Sequence, residues 1–310
     1  FFIISYKVIG NKVLLTDNFG NEYKLSLLDF SKILNRKKFS DKSFIFFPEK
    51  DSISKKPELS KTSIPLIDVN ILHPPETKPL INFETKVISL NNVPSKYPIL
   101  IIGGVLNNWK IKYSGLNEIN SEIKNKEESF ERVSSYGYTG CLNFINTNFN
   151  MTDIISSNSR CEDSVNIVNS IGTINNLIIV DAYKDGLDAD FSNLRVLNTY
   201  IKKAGNDCID LSSGDYEVKK AITINCTDKA ISVGEKSILN IDDLYSVKSD
   251  IGIAVKDSST VNLRMAKIFQ SKFCISAYKK KQEFGGAFIK SDKIECKGDY
   301  FSDKNSLISF

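Results

Sequence analysis

The strongest pattern along the chain is a column of apolar residues that returns every 22 positions: Val165, Leu187, Ile209, Ile231, Ile253 and Ile275. Two residues later in each repeat stand Ile167, Ala189, Leu211, Val233, Val255 and Ala277, apolar every time. Alternation of this kind predicts a β-strand with one buried face. One repeat earlier, Leu142 and Phe144 fit at a spacing of 23, and Asn143 and Asn146 match Asn166 and Asn169. A second column, Ile178, Tyr200, Ile222 and Leu244, also steps by 22 and predicts a second strand segment in each repeat.

The period excludes other repeat architectures. Helical repeats need about 33 residues or more, a four-stranded propeller blade needs more still, and the L-x-x-L-x-L-x-x-N signature of leucine-rich repeats is missing. The predicted fold is all-β: a right-handed single-stranded parallel β-helix of 22-residue coils over 79–310, most regular over 139–290. Each coil buries three or four aliphatic side chains, worth roughly 1.5–3 kcal/mol each. No coil offsets its own ordering entropy, but neighbours stacked about 4.8 Å apart do so together.

Proline placement sets a boundary. All eight prolines lie at or before Pro98. Proline cannot donate to a sheet ladder and is kept out of central strands, so the change of regime falls within 75–100. Residues 1–78 are read as a β-rich region followed by a linker. Within them, 12–16 and 22–27 predict two strands joined by a turn, and 28–34 reads as a short helix. Residues 50–80, rich in Ser, Lys and Pro, have a linker composition. The chain opens on Phe1, inside a run that reads as a strand, and is expected to be a fragment or processed form, a module of a larger protein and monomeric.

Charge narrows the partners. The 41 basic and 37 acidic residues leave a net charge of +4, and the basic clusters at 36–38 and 279–281 are short. Nucleic-acid binding calls for a stronger and more clustered positive charge, so none is expected. No apolar run approaches the 18 residues of a membrane span, so no membrane insertion is expected. None of the six cysteines forms a CxxC pair, which argues against zinc. Cys208 and Cys274 stand one residue before the core column but three coils apart, and mostly free, buried thiols are expected. His73, the single histidine, lies in the linker, which excludes a Ser-His-Asp triad and disfavours Cys-His catalysis. GEKS at 234–237 lacks the earlier glycine of a phosphate loop. The charged, aperiodic stretch 117–135 reads as an excursion that covers either a binding face or an end of the stack.

Chemistry concentrates in one column. Two residues before the core positions stand Asp163, Asp185, Asp207 and Lys229, again 22 apart. Stacked carboxylates repel, so Lys229, a bound cation such as Ca²⁺ or a raised pKa must neutralise the row. Beside it an outward column runs Asn166, Asp188, Asp210, Ser232, flanked by Asp190 and Glu235. Two readings stand. Paired carboxylates suit a carbohydrate site, whereas Asp-Gly at 185–186 and Asn-Asp at 206–207 are also ordinary turn residues.

Residues 162–167 (EDSVNI), 184–190 (KDGLDAD), 205–212 (GNDCIDLS), 228–235 (DKAISVGE) and 251–257 (IGIAVKD) follow in order at repeat spacing. Together they resemble the parallel β-helix domain attached to CotH-type kinase proteins and found in related bacterial surface proteins. Trp109, in NNWKIKY, resembles the Trp-bearing coil near the start of that domain. The likeness covers about 100–265 and implies an extracellular or cell-surface module without an assigned activity. A second likeness is to polygalacturonase-type glycoside hydrolases, with the pattern N-T-D-G-I-D, D-D-C-I, G-H-G-I-S-I-G and R-I-K. Asp185, Asp207 and Lys256 are kept, but Asn206, Lys229 and Ala254 replace a carboxylate, the His and the Arg.

The first expectation is therefore a non-catalytic module that binds or displays against a polysaccharide or envelope component. Its contacts would come from Asp163, Asp188, Asp210, Glu235 and Lys256, with no cofactor required. The alternative is a carbohydrate hydrolase, lyase or epimerase. Asp207 would then be proton donor and Asp185 base, with Lys229 placing a uronate carboxylate.

Overall fold

The computed structural model describes residues 3–9, 12–17, 22–26, 58–116 and 132–310. The chain divides into two compact units, 1–56 and 57–310. In the first, strands Ile3–Ile9, Lys12–Asp17 and Glu22–Ser26 form an antiparallel sheet in that order. The two expected strands pair, Val13 opposite Leu25, and Val13 is buried. The short helix read at 28–34 lies outside the described residues.

The second unit is the parallel β-helix, about nine turns of roughly 22 residues. Val165 pairs with Leu187, which pairs in turn with Ile209, Ile231, Ile253 and Ile275. Every member of this column is buried. A representative coil has a short strand, Asp185–Asp190, a turn through Phe191 and Ser192, and a long strand, Asn193–Ala204. The long strand bends within itself: its pairing with the coil before skips residue 197, and Leu194, Val196, Thr199, Ile201 and Ala204 turn inward. At the turns the amide of Thr147 donates to Ser170 Oγ, that of Ser170 to Ser192 Oγ, and that of Ser237 to Ser259 Oγ, so hydroxyls tie successive coils.

The second apolar column faces outward. Ile178, Tyr200 and Ile222 are half-exposed, and the inward neighbours are Leu177, Thr199, Ala221 and Leu244. Two features hid this. Some inward positions carry hydroxyls, as at Thr199, Thr223 and Ser246. The turn at 235–237 also adds a residue, so Leu244 pairs with Ala221 rather than with Ile222.

The expectation of free thiols is overturned. Cys141–Cys161, Cys208–Cys226 and Cys274–Cys296 are disulfides, with Cα separations of 5.4, 5.4 and 6.0 Å. Each bond joins a residue at the start of a short strand to one at or near the end of the long strand that follows. The chain has then travelled almost once round the coil, and its corner returns it beside its own start. Comparing equal columns in adjacent coils misses this approach for the first two bonds; Cys274 and Cys296 are 22 apart, but extra residues before Phe288 place Cys296 opposite Ile268, at the end of its long strand.

Residues 58–80, linker-like in composition, carry strands. Ser60–Ile64 and Val69–His73 form an antiparallel hairpin whose second strand pairs antiparallel with Ile99–Ile102. The prolines sit outside these strands, at Pro65 in a 3₁₀ turn and at Pro74 and Pro75 after the hairpin. His73 is buried there; its Nε2 lies 2.9 Å from Thr62 Oγ1 and its Nδ1 2.8 Å from the Pro74 carbonyl oxygen. Trp109 is buried, with Phe83 edge-on to its ring. Residues 117–131 of the charged excursion lie outside the described residues. No helix among the described residues is long and apolar enough to cross a membrane.

Candidate functional site

The stack brings the predicted carboxylates together on the outer face of the short strands. Asp163 pairs with Asp185 in register, and Asp188 with Asp210. Asp185 Oδ1 accepts the backbone N–H of Asp207 at 2.7 Å and the Asn206 side-chain amide at 2.7 Å. Asp207 Oδ1 repeats the arrangement one coil on, accepting the backbone N–H of Lys229 at 3.0 Å and its ammonium at 3.3 Å. Both carboxylates therefore cap the amide that opens the next short strand. The turn-capping role read in the Asp-Gly and Asn-Asp pairs is present in these bonds.

The column expected to face outward is partly covered: Asn166 and Ser232 are buried, while Asp188 and Asp210 remain half-exposed. Cationic arms reach back along the stack over it. Lys256, itself buried, brings Nζ to 3.9 Å from Asp210 Oδ1, two coils away. Lys281 likewise pairs with Glu235. Lys229 is sandwiched between Asp207 and Asp228.

Electrostatics follow from this packing. Burial, more than any neighbour, pushes the Asp185 carboxyl up to about 6, against the lowering effect of the two hydrogen bonds it accepts. Burial likewise raises Asp207 to about 7, with Lys229 opposing and Asp210 and Asp185 adding. Asn166 Nδ2 donates to Asp163 Oδ2 and to Asp188 Oδ2, both at 3.4 Å. Desolvation first, then the charges of neighbouring acids, pushes both carboxyls well above the ordinary range, Asp188 furthest; Asp163 acts on Asp188, while Asp185, Glu162 and Asp190 act on Asp163. A proton held on Asp188 is the cheapest way to keep two acids against one amide. Burial works against the charge of Lys229, but Asp207 and Asp228 outweigh it and hold the amine above its usual value. The stacked acids thus combine carboxyls pushed toward the protonated form with lysine arms on Asp207, Asp210 and Glu235. No group of three or more His, Cys, Asp or Glu side chains in a metal-holding arrangement is present among the described residues.

Asp163 and Asp207 are at most 3% exposed. On this face Asp188, Asp190, Asp210 and Glu235 are half-exposed. A groove of about 670 Å³ runs elsewhere, along the corner where each long strand ends, and its lining includes none of these acids. It holds Asp181, Lys203, Asn225, Lys248 and Gln270. Sequence reading missed this column. Its signal is a polar residue directly before a small one (Asn158-Ser159, Asp181-Ala182, Lys203-Ala204, Asn225-Cys226, Lys248-Ser249) at 22- or 23-residue spacing.

No known family model, curated protein or solved structure matches this chain.

Proposed function

We propose that the chain is an extracellular or cell-surface β-helix module that binds or displays against a polysaccharide or other envelope component without turning it over. The observation that carries this reading is the pairing of all six cysteines in three disulfides. Structural disulfides persist in oxidising compartments and are rare where thiols are kept reduced. The motif likeness to the β-helix domains of bacterial surface proteins points the same way. So does the axial groove, whose length along several coils suits an extended polymer. The engagement of Asp185 and Asp207 in capping successive coils favours binding over turnover. The test is retention of the chain on insoluble envelope polysaccharide: specific retention supports the proposal, and free passage through every polysaccharide tried speaks against it.

A second reading has one observation in its favour. Asp185, raised to about 6, and Asp207, raised to about 7, with Lys229 alongside, lie in the range useful to a general acid and base. Under that reading the acidic face acts on a uronate-containing chain, and Asp207→Asn abolishes product formation.

A further inference from the structure

The outward side of the long strands carries an apolar strip, separate from the acid face and the corner groove. Its first column runs Ile155, Ile178, Tyr200, Ile222 and Tyr245, each in register with the next. Lys112 and Lys267 close this column at either end. Two residues further along the strands, Val180, Ile224, Val247 and Phe269 make a second column, interrupted by Lys202. Val180 and Tyr245 are exposed and the other apolar members half-exposed. A single exposed aliphatic residue needs no explanation, but adjoining columns of them along successive coils do.

Polar columns border the strip on both sides. On one, Asn176, Asn198, Lys220 and Asp243 follow in register. On the other the strands kink: Asp181, Lys203, Asn225 and Lys248 adopt left-handed backbone angles, with φ of 62°, 67°, 58° and 65°, and begin the corner groove. Lys220 and Asp243 have no ion-pair partner among the described residues. Together with Ile222, Tyr245 and Met265 they line a shallow concavity of about 350 Å³. The Phe269 ring adjoins that of Tyr245, with centroids 5.7 Å apart. Tyr200 and Tyr245 stand two coils apart in one column, about 9–10 Å by the strand spacing.

We infer that this strip seats a neutral, extended β-linked polysaccharide chain along the stack axis, alternate rings packing on Tyr200 and Tyr245 and edge hydroxyls bonding to Lys220 and Asp243. The inference rests on the polysaccharide reading above and names its face and its chemistry. Such a chain has apolar ring faces and hydroxylated edges, the cross-section that an apolar strip between polar columns accepts. Each of its rings advances by about one coil spacing and every second ring presents the same face, which matches the spacing of the two tyrosines. Lys220 donates and Asp243 accepts. A hydroxyl meets both, whereas an anion is repelled by Asp243 and a cation by Lys220. A second copy of the chain fits less well: a strip roughly 7 Å by 20 Å falls far below the ~800 Å² per partner of a standard protein interface.

Calorimetric titration with three oligosaccharides tests this: a cello-oligosaccharide, a malto-oligosaccharide of the same length, and oligogalacturonate. The cello-oligosaccharide is expected to bind most tightly, with little dependence on salt. The double variant Tyr200→Ala, Tyr245→Ala should lose about tenfold or more in affinity, roughly 1.4 kcal/mol. Phe191→Ala, which removes an exposed ring at a turn outside the strip, should change nothing. Equal binding by the double variant overturns the strip and leaves the polysaccharide reading standing. Equal or tighter binding of the malto-oligosaccharide overturns the extended geometry, and of oligogalacturonate the neutral chemistry. Binding of none of the three by a protein that melts cooperatively overturns the strip site. Retention on envelope polysaccharide in that case spares the broader reading, and its absence sinks both.

Discussion

The sulfurs of Cys208 and Cys226 are bonded although the residues lie 18 positions apart and occupy different columns of the repeat. The bond closes one coil upon itself rather than clamping two coils together. Its effect is to fix the corner from which the next short strand starts, and the other two disulfides act at the same kind of corner.

Removing that bond should therefore cost stability without changing the fold. The Cys208→Ala, Cys226→Ala variant is expected to lose about 2–4 kcal/mol, the usual range for a loop of this length. Guanidinium unfolding under non-reducing conditions measures it. A midpoint equal to that of the parent would contradict the pairing.

The core column makes a sharper demand. Ile209 stacks between Leu187 and Ile231 and is buried. Ile209→Asp places an unpaired charge in a middle coil and should abolish the cooperative transition, because each coil depends on its neighbours. Ile209→Val should cost only about 0.5–1.5 kcal/mol. An aspartate variant that melts at the parent temperature would refute the register.

Asp188 predicts a pH dependence of known sign. Folding raises its pKa, so the native state keeps a proton that the unfolded chain releases near pH ~4. Above that pH the native state binds more protons, and the stability this group contributes falls as pH rises toward its folded value. Asp163, raised for the same reasons, adds to the fall. Asp188→Asn imitates the protonated acid. The variant should match the parent in mildly acidic urea and be more stable than it at neutral pH and above. A variant less stable at neutral pH would contradict a protonated Asp188.

Lys229 and Asp207 offer a complementary test. The amine opposes the burial that lifts Asp207 to about 7. Lys229→Met should move the Asp207 carboxyl higher still, followed by its carbon chemical shift across a pH titration. A titration that stays put or moves down would dissolve the pair.

The repeat was legible because its signal is geometric. A strand of alternating side chains stacked on copies of itself must place apolar residues at a constant interval, and Val165 through Ile275 do so. Cys141–Cys161 and Cys208–Cys226 were not legible, because sequence spacing compares like with like whereas these residues meet round a corner; Cys274 and Cys296, 22 apart, did stand one repeat from each other. The inward face of the long strands was obscured by Thr199, Thr223 and Ser246, whose hydroxyls mimic an outward position. The hairpin at 60–73 was masked by the prolines bordering it. At the candidate site, the stacking of Asp163, Asp185, Asp207 and Lys229 followed from spacing alone. The arms of Lys256 and Lys281 did not, since each reaches across coils by side-chain length. The corner groove escaped notice because it is defined by backbone kinks rather than by hydropathy.

The most direct test of the account is to incubate the folded chain with uronic-acid and neutral polysaccharides, measuring bound protein together with new reducing ends and the absorbance of new double bonds. The account predicts binding to at least one polysaccharide with no product from any of them. Product that accumulates with the parent and disappears in Asp207→Asn would contradict it and make the chain an enzyme.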